Sequence, residues 1–297
     1  MAKLVECALN FSEGQRADVI EEIVAAAKNV RVLDVAPDAS HNRTVLTFVG
    51  QLREAGEAAC AVTARAVRLI DMNGHRGEHP RMGAVDVIPF VPLQNTTMQE
   101  AVSLAQEVGR RIGTELRVPV FLYEAAATRP ERRNLANIRR GEYEGLTEKL
   151  RDPEWVPDYG PGAPHPTAGA TVVGARTYLV AFNVNLGTPD IGIAKQVARA
   201  LRSRTGGLSN VKAIGVSLAE RGIVQVSMNL VDPLRTPLHR VFELVRLEAE
   251  RYGVPVVGSE VVGLLPLRVV ADTARHYLRL EDFEDAQVLE TRLWGEE

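Results

Sequence analysis

What most constrains this chain is a series of elements that occurs twice. Leu4–Ser12 alternates as a strand does, and Glu13–Lys28 carries apolar residues at helical spacing. Val30–Val35 and Thr44–Val49 read as further strands, Arg53–Ile70 as a second helix and Val85–Val91 as a fourth strand. The later residues repeat the series: strand Tyr178–Asn185, a helix from Pro189 to about Arg204, strands Val211–Ser217 and Val224–Leu230, helix Thr236–Tyr252 and strand Val254–Val262. Apolar spacing of three or four marks a helix, and alternation marks a strand. This βαββαβ order is the ferredoxin-like plan, a sheet with both helices on one face. The expected class is α+β: two ferredoxin-like subdomains, residues 1–177 and 178–297, each a mixed or antiparallel sheet.

The two helix starts look equivalent. Ser12 with Gln15 has the form of a capping box. Thr188 followed by Pro189 reads as an N-cap with proline at the first helical position. Helix Met98–Leu116 and strand Val118–Tyr123 extend the first half. The run 127–162 is polar, with Arg129, Arg132, Arg133, Arg139 and Arg140, and reads as an excursion toward a boundary near residue 177. Gly169–Arg176 reads as the opening of the second half. From about Ala271 the tail is charged and helical in pattern, suited to packing on the surface or on a second subunit.

Composition removes several classes of function. A net charge of −3 provides no global field to recruit nucleic acid. Cys7 and Cys60 are too few for a disulfide framework and lie in apolar surroundings, as buried thiols do. Met1 leads directly into a strand with no signal segment, and no apolar run nears the roughly 20 residues that span a bilayer. The expected setting is cytoplasmic, without membrane partners.

Chemistry concentrates in residues 73–90, where His75, Arg76, Glu78, His79 and Arg81 share one glycine-rich loop. Loops held by a rigid scaffold are where catalytic residues tend to sit. Histidines four apart would suit zinc on a helix, but Pro80 pushes His79 out of the helical region. A polar catalytic loop is therefore expected, and no metal. Asn10 ends the first strand, and Asn183 and Asn185 end its counterpart. They could orient a polar ligand at a helix N-terminus or simply cap it. The 39–44 connection places His41, Asn42 and Arg43 at a sheet end. The small residues around Gly169, Ala170 and Thr171 would let a flat ligand approach the backbone, without the glycine spacing of a dinucleotide or phosphate loop. Arg43, Arg81 and Arg176 could hold carboxylates bidentately, and a cleft between two such units is a common ligand site.

Taken in order, Leu4-Val-Glu-Cys7, Asn10-Phe-Ser-Glu-Gly14, Asn42-Arg-Thr44, Gly77-Glu-His-Pro-Arg-Met-Gly83, Gly141-Glu-Tyr-Glu144, Gly169-Ala-Thr171 and Ala181-Phe-Asn-Val-Asn185 resemble the glutamate formimidoyltransferases. The similarity runs from about residue 3 to about residue 270. It implies two α/β subdomains with folate between them, a homodimer, and transfer of a formimino group from N-formimino-L-glutamate to N5 of the co-substrate tetrahydrofolate in histidine breakdown. It makes His79 the catalytic histidine; on chemical grounds Asp38 or Glu78 could orient that imidazole, as a carboxylate often does, and Arg43 joins the candidate catalytic group. It also makes Pro161–Thr171, with Gly162 and His165, a folate-contacting loop. That loop lacks the tryptophan of animal members, and Ala36 stands where they carry an acid. No residues remain for the cyclodeaminase fused to the animal enzymes, so that activity would be a separate partner. Alternatives consistent with the residues are formyl rather than formimino transfer, a metal-dependent amidine hydrolase using His41, His75 and His79, and a non-catalytic folate- or amino-acid-binding module.

Overall fold

The computed structural model describes residues 2–77 and 80–294. The chain divides into two compact units, the first ending at Arg176 and the second beginning at Thr177. The first opens with β1 (Leu4–Phe11), α1 (Ala17–Val24), β2 (Arg31–Asp38), β3 (Arg43–Gln51), α2 (Leu52–Leu69) and β4 (Val85–Pro92). These four strands pair antiparallel in the order β2-β3-β1-β4. Alternation along β1 decides which face is covered. Val5, Cys7, Leu9 and Phe11 are fully buried in the core shared with α1 and α2, while Glu6, Ala8 and Asn10 point to the other face.

After β4 come α3 (Met98–Glu115), β5 (Val120–Glu124), the short helices α4 (Leu135–Ile138) and α5 (Leu146–Lys149), and β6 (Thr171–Ala175). Thr97 and Glu100 close a capping box at the start of α3. β6 lies between β4 and β5 and is parallel to both, giving a six-stranded sheet. Gly169–Arg176 therefore belongs to the first unit and does not open the second. Its continuous burial is that of a strand covered on both faces, and its partners lie far away in sequence.

The polar excursion also differs from expectation, because it builds a core of its own. Ile138, Leu146 and Leu150 pack with Val87, Phe121, Tyr123 and Val172 on the sheet face opposite α1–α3. Arg132 is its largest fully buried side chain, 1 % exposed. It donates to Asp158 at 2.7 Å and to the carbonyls of Glu154 and Val156, with its guanidinium over the rings of Phe121 and Trp155.

The second unit comprises β7 (Val180–Leu186), α6 (Ile191–Leu201), β8 (Val211–Leu218), β9 (Ile223–Leu230), α7 (Leu238–Glu250) and β10 (Val256–Val262), followed by α8 (Leu267–Leu278) and α9 (Leu289–Trp294). Its sheet is antiparallel throughout, in the order β10-β7-β9-β8. Strand and helix order in both units is the ferredoxin-like plan. α8 packs on α7 and lends Val269 to the core.

Neither proposed helix cap forms. The Ser12 hydroxyl donates to the Gly83 carbonyl. Glu13 instead accepts the N–H groups of Gln15 and Arg16, and α1 starts at Ala17. At α6 the cap is Asp190, bonded to the N–H of Gly192, while Thr188 accepts the N–H of Asp190.

Candidate active site

Three connections of the first unit close on one another at the end of β1. Gly14 lies so near the β2–β3 turn that a Cβ there would stand 2.2 Å from the Asp38 carbonyl oxygen. At Gly77 a Cβ would stand 2.3 Å from that of His41. Asn42, in the left-handed region at φ 47°, joins the three segments. Its Oδ1 accepts the Gly14 N–H at 3.0 Å, and its Nδ2 donates to the Arg76 carbonyl at 2.8 Å.

His75 is buried beneath this junction. Its Nε2 donates to the Asn42 carbonyl at 2.9 Å, which leaves Nδ1 to accept from Arg81 Nε at 3.3 Å. That network selects the neutral tautomer. Burial, aided by the Arg81 charge, pushes its pKa down. His41 is held differently, with its backbone N–H on Asp38 Oδ1 at 2.9 Å and its Nδ1 2.6 Å from Oδ2. Partial burial pulls the Asp38 carboxyl up, but these bonds to His41 outweigh it and hold the pKa below its usual value. Asp38 thus orients His41. Glu78 and His79 lie outside the described residues.

Arg81, also buried, uses most of its N–H groups internally. Nη1 meets Glu142 at 3.1 Å and Glu144 at 3.0 Å, and Nη2 meets Glu144 at 2.7 Å. The bonds to Glu144 raise the guanidinium pKa and lower that of Glu144. Arg76, Gly77, Arg81, Gly141, Glu142 and Glu144 line an open cavity of about 430 Å³. Both glutamates belong to the excursion, which is fixed from two sides. Arg139 pairs with the buried Asp86, whose Oδ1 accepts the Met82 N–H at 2.9 Å. Lys149 donates to the carbonyls of Asn137, Ile138 and Arg140 and sits 4.1 Å over Trp155. Burial lowers its pKa to about 8. Arg43 lies in the same field, its pKa lowered by burial and by the charge of Arg139.

The 161–171 segment joins this site through main-chain bonds. Ala84 N donates to Ala168, Ala170 N to Met82, and Met72 N to Thr167. Gly83 and Gly169 face each other so closely that a Cβ on Gly169 would stand 2.2 Å from the Met82 carbonyl oxygen. His165 Nδ1 accepts the N–H groups of Thr167 and Ala168, and burial lowers its pKa. The Thr171 hydroxyl is tied to Val85. Pro161 and Gly162 begin the segment, and nothing lies within 4 Å of a Cβ on Gly162.

Other sequence candidates fall elsewhere. Asn10 is on the face of β1 away from α1 and α2, its amide donating to the Ala8 carbonyl. Arg176 bonds through its backbone to Phe90, about 17 Å along β4 from Val85 at the usual rise per residue. Its guanidinium neighbours Tyr123, whose pKa burial pushes up to about 12. Asn183 and Asn185 are in the second unit on the face of β7 away from α6, and not at that helix's N-terminus. Asp86, Arg139, Glu142 and Glu144 were missed as charge partners, though Gly141-Glu-Tyr-Glu144 was visible as a motif. Among the described residues no group of three or more His, Cys, Asp or Glu is placed to hold a metal. No described helix is long and apolar enough to cross a membrane.

Residues 4–176 match the description "Formiminotransferase domain, N-terminal subdomain", and residues 181–291 match "Formiminotransferase domain". The chain is 53% identical over 99% of its length to the whole of a glutamate formimidoyltransferase from Streptococcus pyogenes serotype M1. It is 48% identical over 98% of its length to 97% of a glutamate formimidoyltransferase from Thermoplasma acidophilum. A formimidoyltransferase-cyclodeaminase from Gallus gallus is 48% identical over 95% of this chain, which spans 53% of that longer protein. Two subdomain matches in the order of the two units, with relatives matched end to end, leave one conclusion: the chain belongs to the formiminotransferase family.

Proposed function

We propose that this chain transfers the formimino group of N-formimino-L-glutamate to N5 of tetrahydrofolate, giving 5-formimidoyltetrahydrofolate and L-glutamate in histidine degradation. The reading rests on full-length identity to free-standing glutamate formimidoyltransferases. The tight packing of the 10–14, 38–43, 75–77, 80–83 and 165–171 segments around one charged site supports it.

The donor is an amidine, protonated and electrophilic near neutrality. N5 attacks the amidine carbon, forming a C–N bond and a cationic ring nitrogen. His79 takes the N5 proton and delivers it to the glutamate nitrogen. The intermediate then collapses with cleavage of the bond to that nitrogen, so glutamate leaves and the terminal nitrogen stays on the folate. An imidazole suits both steps because its ordinary pKa lies near neutral pH. Asp38, with His41, sets the local charge, and Arg43 and Arg176 bind carboxylates. Arg81, already paired, positions Glu142 and Glu144 at the cavity. Asn10 and the segment from Pro161 to Thr171, with Gly162, His165, Gly169 and Ala170, contact folate in the first unit. The enzyme works as a cytoplasmic homodimer without a metal, and a separate cyclodeaminase consumes its product.

The test is turnover of tetrahydrofolate with formiminoglutamate, followed by absorbance of the folate product with EDTA present. Product should accumulate with release of one glutamate per folate. A folded protein with no turnover, or turnover restored only by zinc, would overturn the proposal.

A further inference from the structure

The connection that carries the charged loop is much longer than its counterpart in the second unit. Residues 70–84 join α2 to β4, whereas residues 251–255 suffice to join α7 to β10. A long connection without helix or strand inside a compact unit is a mark of function. Its backbone groups must then find partners elsewhere in the fold. The first part finds them at the β2–β3 turn. There the Asn42 carbonyl meets His75 Nε2 at 2.9 Å, and the Asn42 amide donates to the Arg76 carbonyl at 2.8 Å.

The last part is held through Asp86. This carboxylate is 1% exposed, yet it joins two segments: Oδ1 accepts the Met82 N–H at 2.9 Å, and Oδ2 pairs with Arg139. Met82 is thereby fixed at every group it has. Its carbonyl accepts the Ala170 N–H at 3.1 Å, and its side chain is fully buried in the core that Ile138 and Leu146 build. Arg139 follows Ile138 directly at the end of α4, so charge and apolar contact come from one turn of the excursion. A buried carboxylate keeps its charge and its direction only with a counter-charge in place. The excursion's other tie to the loop is weaker: Glu142 and Glu144, which meet Arg81, have side chains 42% and 62% exposed, and water screens such pairs.

We infer that Asp86 and Arg139 are positioning residues for the reaction: the Arg139 guanidinium holds the Asp86 carboxylate, Asp86 holds the Met82 N–H, and the loop that bears His79 is thereby set for proton transfer. The inference rests on the role proposed above for His79, three residues before Met82. Neither residue is asked to touch substrate. The excursion, which has no counterpart in the second unit, acts as the clamp of a loop that the second unit also lacks.

The test is a cycle of Arg139→Met, His79→Ala and the double variant, with Arg139→Lys alongside. Turnover of tetrahydrofolate with formiminoglutamate is measured well below the Tm of each protein. A misplacement of about 1 Å at reacting groups costs about 100-fold in rate, so Arg139→Met should lower kcat by about 10- to 100-fold. KM for both substrates should change by less than about threefold, since no binding contact is removed. Arg139→Lys keeps a charge beside Asp86 and should recover part of the loss. In the His79→Ala background Arg139→Met should cost less than about threefold more, because a residue that acts through His79 has nothing left to place. Where Arg139→Met is too unstable to assay, Asp86→Asn, whose amide oxygen still accepts the Met82 N–H, replaces it in the cycle and the same outcomes decide. Full kcat in the folded variant makes the pair purely structural, and a rise in KM alone makes Arg139 a substrate ligand. Either result overturns the inference, as does a kcat loss undiminished in the His79→Ala background. Normal kcat in folded His79→Ala removes the functional reading first, and the inference with it.

Discussion

Replacing Arg132 with Met should unfold the segment that carries Glu142 and Glu144 before it affects anything else in the first unit. The Arg132 and Asp158 side chains are 1% and 8% exposed, so water screens neither charge. Without the guanidinium, Asp158 keeps the Leu122 N–H at 2.8 Å and the Thr128 hydroxyl but has no cation. The carbonyls of Glu154 and Val156 lose their donor as well. Breaking a buried pair from one side costs about 3–5 kcal/mol, because the remaining charge stays uncompensated. For a unit of this size each kcal/mol lowers Tm by about 2–4 °C, so the fall should be about 6–20 °C. Trp155, whose ring lies 5.9 Å from the guanidinium, reports the transition by fluorescence in a Trp294→Phe background. Adding Asp158→Asn removes the stranded charge and should restore part of the loss, with non-additivity of about 1–3 kcal/mol, as for directly coupled groups. A loss below about 1 kcal/mol, or strict additivity in the cycle, would refute the uncompensated-charge argument and make the pair a solvated one.

His79→Ala should lower kcat by about 10²–10⁴ while folate binding survives, whereas His75→Ala should cost less than about tenfold; near-normal kcat in a folded His79 variant contradicts the proton-transfer role. His75 has a folded pKa held down by burial, so the stability it contributes is complete above the ordinary imidazole value of 6.5 and is lost as pH falls below it. Urea unfolding at pH 7 and pH 5 should show that loss, and it should shrink in His75→Gln; an equal loss in both proteins argues against it. Gly77→Ala places a Cβ against the His41 backbone and should destabilise by about 1–3 kcal/mol, while Gly162→Ala, which meets nothing, should be neutral; comparable urea midpoints for the two would be the contrary result.

Local periodicity was enough to show the two ferredoxin-like halves. Alternation along Leu4–Phe11 and Val180–Leu186 and helical spacing along Arg53–Ile70 and Thr236–Tyr252 are written into consecutive residues, and each face is buried by elements close in the chain. The clustering of charge in 73–83 was legible for the same reason. Tertiary structure decided what depends on distant partners. Thr171–Ala175 reads as an apolar run opening the second unit, and only pairing with β4 and β5 assigns it to the first. Ser12 has the chemistry of a cap, but the Gly83 carbonyl, 71 residues away, competes for its hydroxyl and wins. Arg132, Arg139 and Lys149 look like solvated surface charges in an arginine-rich stretch. Arg132 is buried and Arg139 and Lys149 are drawn partly inside because Phe121, Trp155, Asp86, Asp158 and the carbonyls of Asn137 and Arg140 converge on them. A chain can display its own pattern of apolar and charged residues, but which charge meets which counter-charge is set only when the backbone closes.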